Sequence, residues 1–222
     1  MTIEEYFKGW YKCIDNNILN STVRKINEIY KTKPCEPKYS NIFKVFNVTD
    51  YNNVKQIWLG MEPYNIPNYA TGIAFANPED TKELSPSLKV LKESLINFEI
   101  PHNPIIFDPE LRHLTEQGIL LLNSALTVER RNPNSHTYLW RDFTSDFLRR
   151  FSTYNPGIIY VLWGEVAKSY ESCIKNGIIF KEKHPAWYAR MNKKIPYDFF
   201  SRINDTQEYY YGDRIIWFNE FK

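Results

Sequence analysis

Gly118-Ile119-Leu120-Leu121-Leu122-Asn123 is the stretch that decides the fold. Four consecutive large apolar residues leave no polar alternate to face solvent. Such a run reads as a strand buried on both sides, the mark of a parallel sheet covered by helices. It stops abruptly at an asparagine. Working outward, three other short runs share this form: Val54–Leu59, which ends at Gly60, Gly157–Trp163, and Ile178–Lys181, which leads to His184-Pro185. Helical periodicity lies between them. Ser85-Pro86 suits an N-cap and first helical position, and Leu88, Leu91, Leu95 and Phe98 make the buried stripe that follows. Trp140, Phe143, Phe147, Leu148 and Phe151 mark another helix, and Val166–Ile174 a further one. Strand and helix thus alternate, which predicts an α/β fold with a central four-stranded parallel sheet flanked by helices.

The N-terminal part reads differently. Thr2 caps a helix whose Ile3, Phe7, Trp10, Tyr11 and Ile14 share a face, and Ser21–Tyr30 forms a second. Residues 1–40 are therefore expected as a helical extension packed on a single domain spanning 1–222. No repeat or low-complexity tract interrupts the chain.

Composition narrows the function classes. Twenty-eight Lys and Arg oppose 26 Asp and Glu, for a net charge of +2. That balance excludes a protein that coats nucleic acid by bulk attraction, so any such contact needs a local basic patch. Lys181–Lys194 is one, with Lys181, Lys183, Arg190, Lys193 and Lys194 against Glu182 alone. Cys13, Cys35 and Cys173 form no CxxC pair, which argues against a disulfide scaffold or a four-thiolate metal centre and suits a reducing cytoplasm. The start, MTIEEYFKGWY, does not read as a signal peptide, and no apolar run approaches membrane-spanning length. Walker, Rossmann, nucleophile-elbow and HExxH patterns are absent, so no cofactor and no metal are expected.

In a parallel sheet, ligands bind beyond the carboxyl ends of the strands. Three strand ends here turn polar: Gly60-Met61-Glu62-Pro63-Tyr64-Asn65, Asn123, and His184-Pro185. Singly, each has an ordinary reading as a surface acid, a turn cap or a loop histidine. Their joint order and spacing carry the signal.

That ordered set resembles the family 1 uracil-DNA glycosylases. GMEPYN at 60–65 is similar to the family's GQDPYH water-activating loop, and Thr71–Phe75 to the segment with the base-stacking phenylalanine. Ser85-Pro86-Ser87-Leu88 resembles the Pro-rich loop that grips the DNA backbone. Gln117–Asn123 with Leu126-Thr127-Val128 resembles the strand ending in the base-reading asparagine. Asn134-Ser135-His136, Leu162-Trp163-Gly164 and His184–Ala189, in place of HPSPLS, follow in family order. The resemblance covers residues 40 to 220. It implies a monomeric enzyme that flips a pyrimidine nucleotide out of DNA and hydrolyses its glycosidic bond. The roles it implies are catalysis by Glu62 and His184, and a base pocket of Met61, Tyr64, Phe75 and Asn123. Asn65, Ser85, Pro86, Ser87, Ala186, Tyr188 and Arg190 would contact DNA, so that binding depends on salt.

Four departures fall near this site. Glu62 stands for the family's Asp, Asn65 for its His, Ala186 and Ala189 for two phosphate-contacting serines, and Tyr188 for its leucine wedge. These leave three readings open. Uracil is the first choice of substrate. A hydroxymethylated or glucosylated cytosine in phage DNA is the second, since an Asn amide can turn over to suit cytosine. A catalytically weakened DNA- or protein-binding module is the third.

Overall fold

The computed structural model describes residues 2–98 and 103–220. Four strands form the central sheet: β1 (Gln56–Gly60), β2 (Ile119–Asn123), β3 (Ile159–Trp163) and β4 (Ile178–Glu182). They lie in the order β2-β1-β3-β4, every neighbouring pair parallel. The sheet is thus the expected parallel four-stranded one.

Strand side chains alternate between faces, and here both faces are apolar. Ile57, Leu59, Leu120, Leu122, Tyr160 and Leu162 point into one core. Helices α1 (Ile3–Phe7), α2 (Asn16–Thr32) and α4 (Thr137–Tyr154) close it with Phe7, Ile26, Phe147 and Phe151, and the segment after α1 adds Trp10. Trp58, Ile119, Leu121, Ile159, Val161 and Trp163 point into the other. There α3 (Pro86–Phe98) and α7 (Tyr197–Tyr211) supply Leu88, Leu91, Phe199, Phe200 and Ile203. Each fully buried side chain of this size contributes about 1.5–3 kcal/mol. The short helix α5 (Gly164–Lys168) adds Ala167 to the first core, and α6 (Pro185–Arg190) adds Tyr188 to the second. One buried polar chain ties α7 to the sheet: Trp58 Nε1 donates to Gln56 Oε1 (2.9 Å), and Gln56 Nε2 to Gln207 Oε1 (3.0 Å).

Three elements differ from their sequence reading. The first helix stops at Phe7, because Lys8 takes φ 49° and the chain continues as a 3₁₀ turn to Cys13. Close packing explains the break, since a Cβ on Gly9 would come within 2.8 Å of Tyr51. The second helix starts five residues before Ser21, where Asp15 Oδ1 accepts from Asn17 N and Ile18 N. The expected helix over Val166–Ile174 is instead α5 followed by a 3₁₀ turn at Glu171–Cys173.

Candidate active site

The parallel sheet delivers all four strand ends to one edge. Pairing β1 with β2 sets Gly60 directly opposite Asn123. Glu62, Tyr64, Phe75, Asn123 and His184 line one cavity there, with Pro63 and the segment Ala70–Ile73. Its volume is about 20 Å³, room for an ordered water but not for a pyrimidine. A base can enter only if the walls part.

Gly60 backs onto two of these lining residues and is a glycine for a steric reason. A Cβ there would lie 2.6 Å from Asn123 Oδ1 and 3.2 Å from Phe75 Cζ. The Asn123 side chain itself accepts and donates no hydrogen bond among the described residues. Its amide is available to a ligand.

Glu62 reaches across the cavity mouth, where the Asn134 N–H donates to its Oε2 at 2.9 Å. Asn134 holds φ 67°, a left-handed conformation that asparagine tolerates better than most residues. Burial raises the Glu62 carboxyl above its ordinary pKa, and the Asn134 N–H opposes this. Among the described residues nothing bonds Oε1, which remains open to water.

His184 ends the loop after β4 and caps α6. Its Nδ1 accepts from Ala186 N at 3.1 Å, so a neutral ring carries its proton on Nε2. Burial, with the Arg190 charge as a second cause, lowers its pKa to about 4. At neutral pH this histidine is an uncharged N–H donor.

Phe75 takes φ 68°, a strained conformation for an aromatic residue. One bond on its own backbone and one on its neighbour's hold it there: the Tyr64 hydroxyl donates to Phe75 O (3.0 Å) and Ala74 N donates to Leu121 O (3.0 Å). Its ring lies 5.7 Å from that of His184, tilted by 39°. The Tyr64 hydroxyl also meets the side chains of Ser85, Ser87 and Asn77, and burial pushes its pKa up to about 12.

The model of the uracil DNA glycosylase superfamily matches residues 46–207 of this chain. The chain belongs to that superfamily. A uracil-DNA glycosylase of Alkaliphilus metalliredigens is 30% identical over 208 residues, covering 91% of this chain and 86% of the relative. That of Campylobacter jejuni is 34% identical over 190 residues, covering 84% and 78%. Among solved structures, mimivirus uracil-DNA glycosylase superposes with a TM-score of 0.74 at 21% identity, over 98% of this chain and 93% of that one. At that identity the likeness speaks for the fold.

Within this superfamily member, the residues expected to touch DNA are placed unevenly. The Met61 carbonyl accepts from Ser124 Oγ (2.7 Å) and Ala125 N (2.9 Å), so its backbone is anchored, while its side chain does not line the cavity. Asn65 also lies off the cavity, its carbonyl accepting from Arg131 N. Ser85 and Ser87 are each 4% exposed and face inward. Ser85 N donates to Asn77 Oδ1 (2.6 Å), and Ser85 Oγ accepts from Leu88 N (3.4 Å) to cap α3. Pro86 and Arg190 are exposed, and Ala186 is half-buried. Tyr188 is 5% exposed, its hydroxyl donating to Glu182 Oε1 at 2.7 Å. Beside the small cavity opens a cleft of about 620 Å³, sharing Tyr64 as a wall and rimmed by Lys89, Lys193 and Lys194. Sequence reasoning missed the close approach of Gly60 to Asn123 and Phe75, and Asn134 as the brace of Glu62. A glycine ending an apolar strand opposite a polar residue was the available sign for the first. A backbone N–H leaves no mark in sequence.

Proposed function

We propose that this protein hydrolyses the N-glycosidic bond of deoxyuridine flipped out of DNA and leaves an abasic site. The observation that carries the reading is one small cavity lined by three groups of matching chemistry: the open Oε1 of Glu62, the neutral Nε2–H donor of His184 and the unheld amide of Asn123. Breaking the bond builds positive charge on the sugar and negative charge on the departing base. Glu62 stabilises the first and orients the attacking water, while its other oxygen stays fixed on Asn134. His184 donates to the base O2 and stabilises the second; a neutral donor does this without having to lose a charge afterwards. Asn123 meets N3–H and O4, and Phe75 stacks on the ring. No lysine lines the cavity among the described residues, so the reading includes no Schiff-base step.

Tyr64 governs the C5 side. Its hydroxyl is held by the Phe75 carbonyl, which fixes the ring where a C5 methyl would stand. The same brace counts against hydroxymethylated or glucosylated cytosine, whose ring edge the unheld Asn123 amide would otherwise match by turning over.

The test is base release from matched oligonucleotides containing uracil, thymine, cytosine, 5-hydroxymethylcytosine or its glucosylated form. Uracil alone is expected to leave, and Asn123→Asp, which replaces the donor facing O4 with a second acceptor, should lower the rate roughly 100-fold or more. Release of a C5-modified base instead would overturn the assignment of Tyr64. Intact DNA binding with no base released from any substrate would leave a binding module.

A further inference from the structure

We propose that Trp187, rather than Tyr188, is the side chain this protein inserts into the DNA stack when a nucleotide is flipped. The inference rests on the glycosylase reading, because extruding a nucleotide opens a gap that a side chain must fill.

Tyr188 is poorly placed to fill it. Its ring belongs to the core beneath α3 and α7, at 5% exposure, and its hydroxyl bonds the Glu182 carboxylate at 2.7 Å. Projecting that ring would expose a buried aromatic surface and break a charge-assisted hydrogen bond in one motion.

Trp187 precedes it on the same turn and is only partly buried. It stands edge-on upon the Tyr188 ring, centroids 5.1 Å apart and planes at 89°. Tyr188 is thus the footing and Trp187 the partly exposed plate, resting at the rim of the same core. Trp187 N donates to His184 O at 2.8 Å, so the plate is one hydrogen bond from the backbone of the residue that meets the base. Two ammonium groups attend it: Lys183 Nζ lies 3.8 Å from the ring centroid and Lys193 Nζ 5.8 Å. Exposed cation–π contacts are weak, and DNA phosphates are stronger partners for both lysines. When a duplex docks, the lysines transfer to phosphates and the indole face is freed to stack against the bases flanking the gap. This arrangement also supplies cationic phosphate contacts on the loop where Ala186 and Ala189 bring no hydroxyl.

The experiment compares wild type, Trp187→Ala, Trp187→Phe and Tyr188→Phe in two assays. One is affinity for a duplex containing a tetrahydrofuran abasic analogue; the other is uracil release from duplex and from single-stranded DNA. Trp187→Ala should weaken duplex affinity on the order of tenfold and slow release from duplex by a similar factor. Release from single strands, where there is no stack to invade, should change by less than about threefold. Trp187→Phe should recover most of the loss. Equal losses on both strands, or none on duplex, would overturn the proposal. So would a duplex rate raised by Tyr188→Phe, which frees that ring from Glu182 and would identify it as the inserting group. The affinity assay judges Trp187 even if wild type releases no uracil, so the failure of either reading can be told from failure of the other.

Discussion

In the proposed reaction, Glu62 and His184 divide the chemistry between a carboxylate that must be charged and an imidazole that must not be. Their environments push them the right way for the second and the wrong way for the first. Burial lowers His184 to about 4, so it stays a neutral donor at neutral and mildly acidic pH. Burial raises Glu62 above 4.5, so the active ionised form is lost earlier than for a free glutamate as pH falls. We expect kcat/KM for uracil release to show a single acid limb, with its midpoint above 4.5, and a plateau through pH 8. Glu62→Gln should remove that limb together with most of the rate. A limb near 6.5 surviving in the Gln variant would mean that His184 titrates as an exposed imidazole. Stability follows the same ionisation: an unfolded histidine takes up a proton near 6.5 that the folded one refuses until about 4. The contribution of its neutral burial is therefore complete above 6.5 and is lost as pH falls from there toward 4.

At the level of elements, caps and strand ends do most of the positioning, and they were unequally legible. Ser85-Pro86 announced α3 correctly, because a hydroxyl N-cap before proline has a purely local cause. The same serine's inward turn toward Asn77 and Tyr64 could not be read, since it depends on a loop eight residues away. Ser85→Ala should destabilise the fold by about 1 kcal/mol through the lost cap, measurable by urea denaturation. It should also relax Tyr64, so thymine release relative to uracil should rise. An unchanged thymine-to-uracil ratio would show that Phe75 O alone holds the tyrosine. The start of α2 was missed because Asp15 caps it ahead of the amphipathic stretch. The end of α1 was missed because Gly9 yields to Tyr51, which is 42 positions away in the chain.

Across the whole molecule, the sheet was legible because both parities of its strands are apolar, a requirement imposed by two covering layers. Candidate site residues were legible by order but not by orientation: Glu62, Phe75, Asn123 and His184, grouped by their order in the chain, line one cavity, whereas nothing in the sequence hinted that Tyr188 turns inward. The two cores also separate stability from chemistry. Trp10 lies on the face closed by α1, α2 and α4, stacked on Phe151 (5.5 Å) with its Nε1 bonded to Thr49 O (3.0 Å). Trp10→Ala should cost about 3–5 kcal/mol in denaturation while the surviving folded protein keeps its kcat. A loss of kcat in proportion to stability would instead couple that core to the site. The narrow cavity of about 20 Å³ has the last consequence for the proposed reaction. A lock this narrow makes selectivity a contest of rates. A base swung toward it meets a wall and returns to its partner unless the grip on the backbone holds it outside long enough for the walls to part. The work of opening is then done by the DNA strand, not by the base, and a free base in solution, which brings no strand with it, arrives without a key.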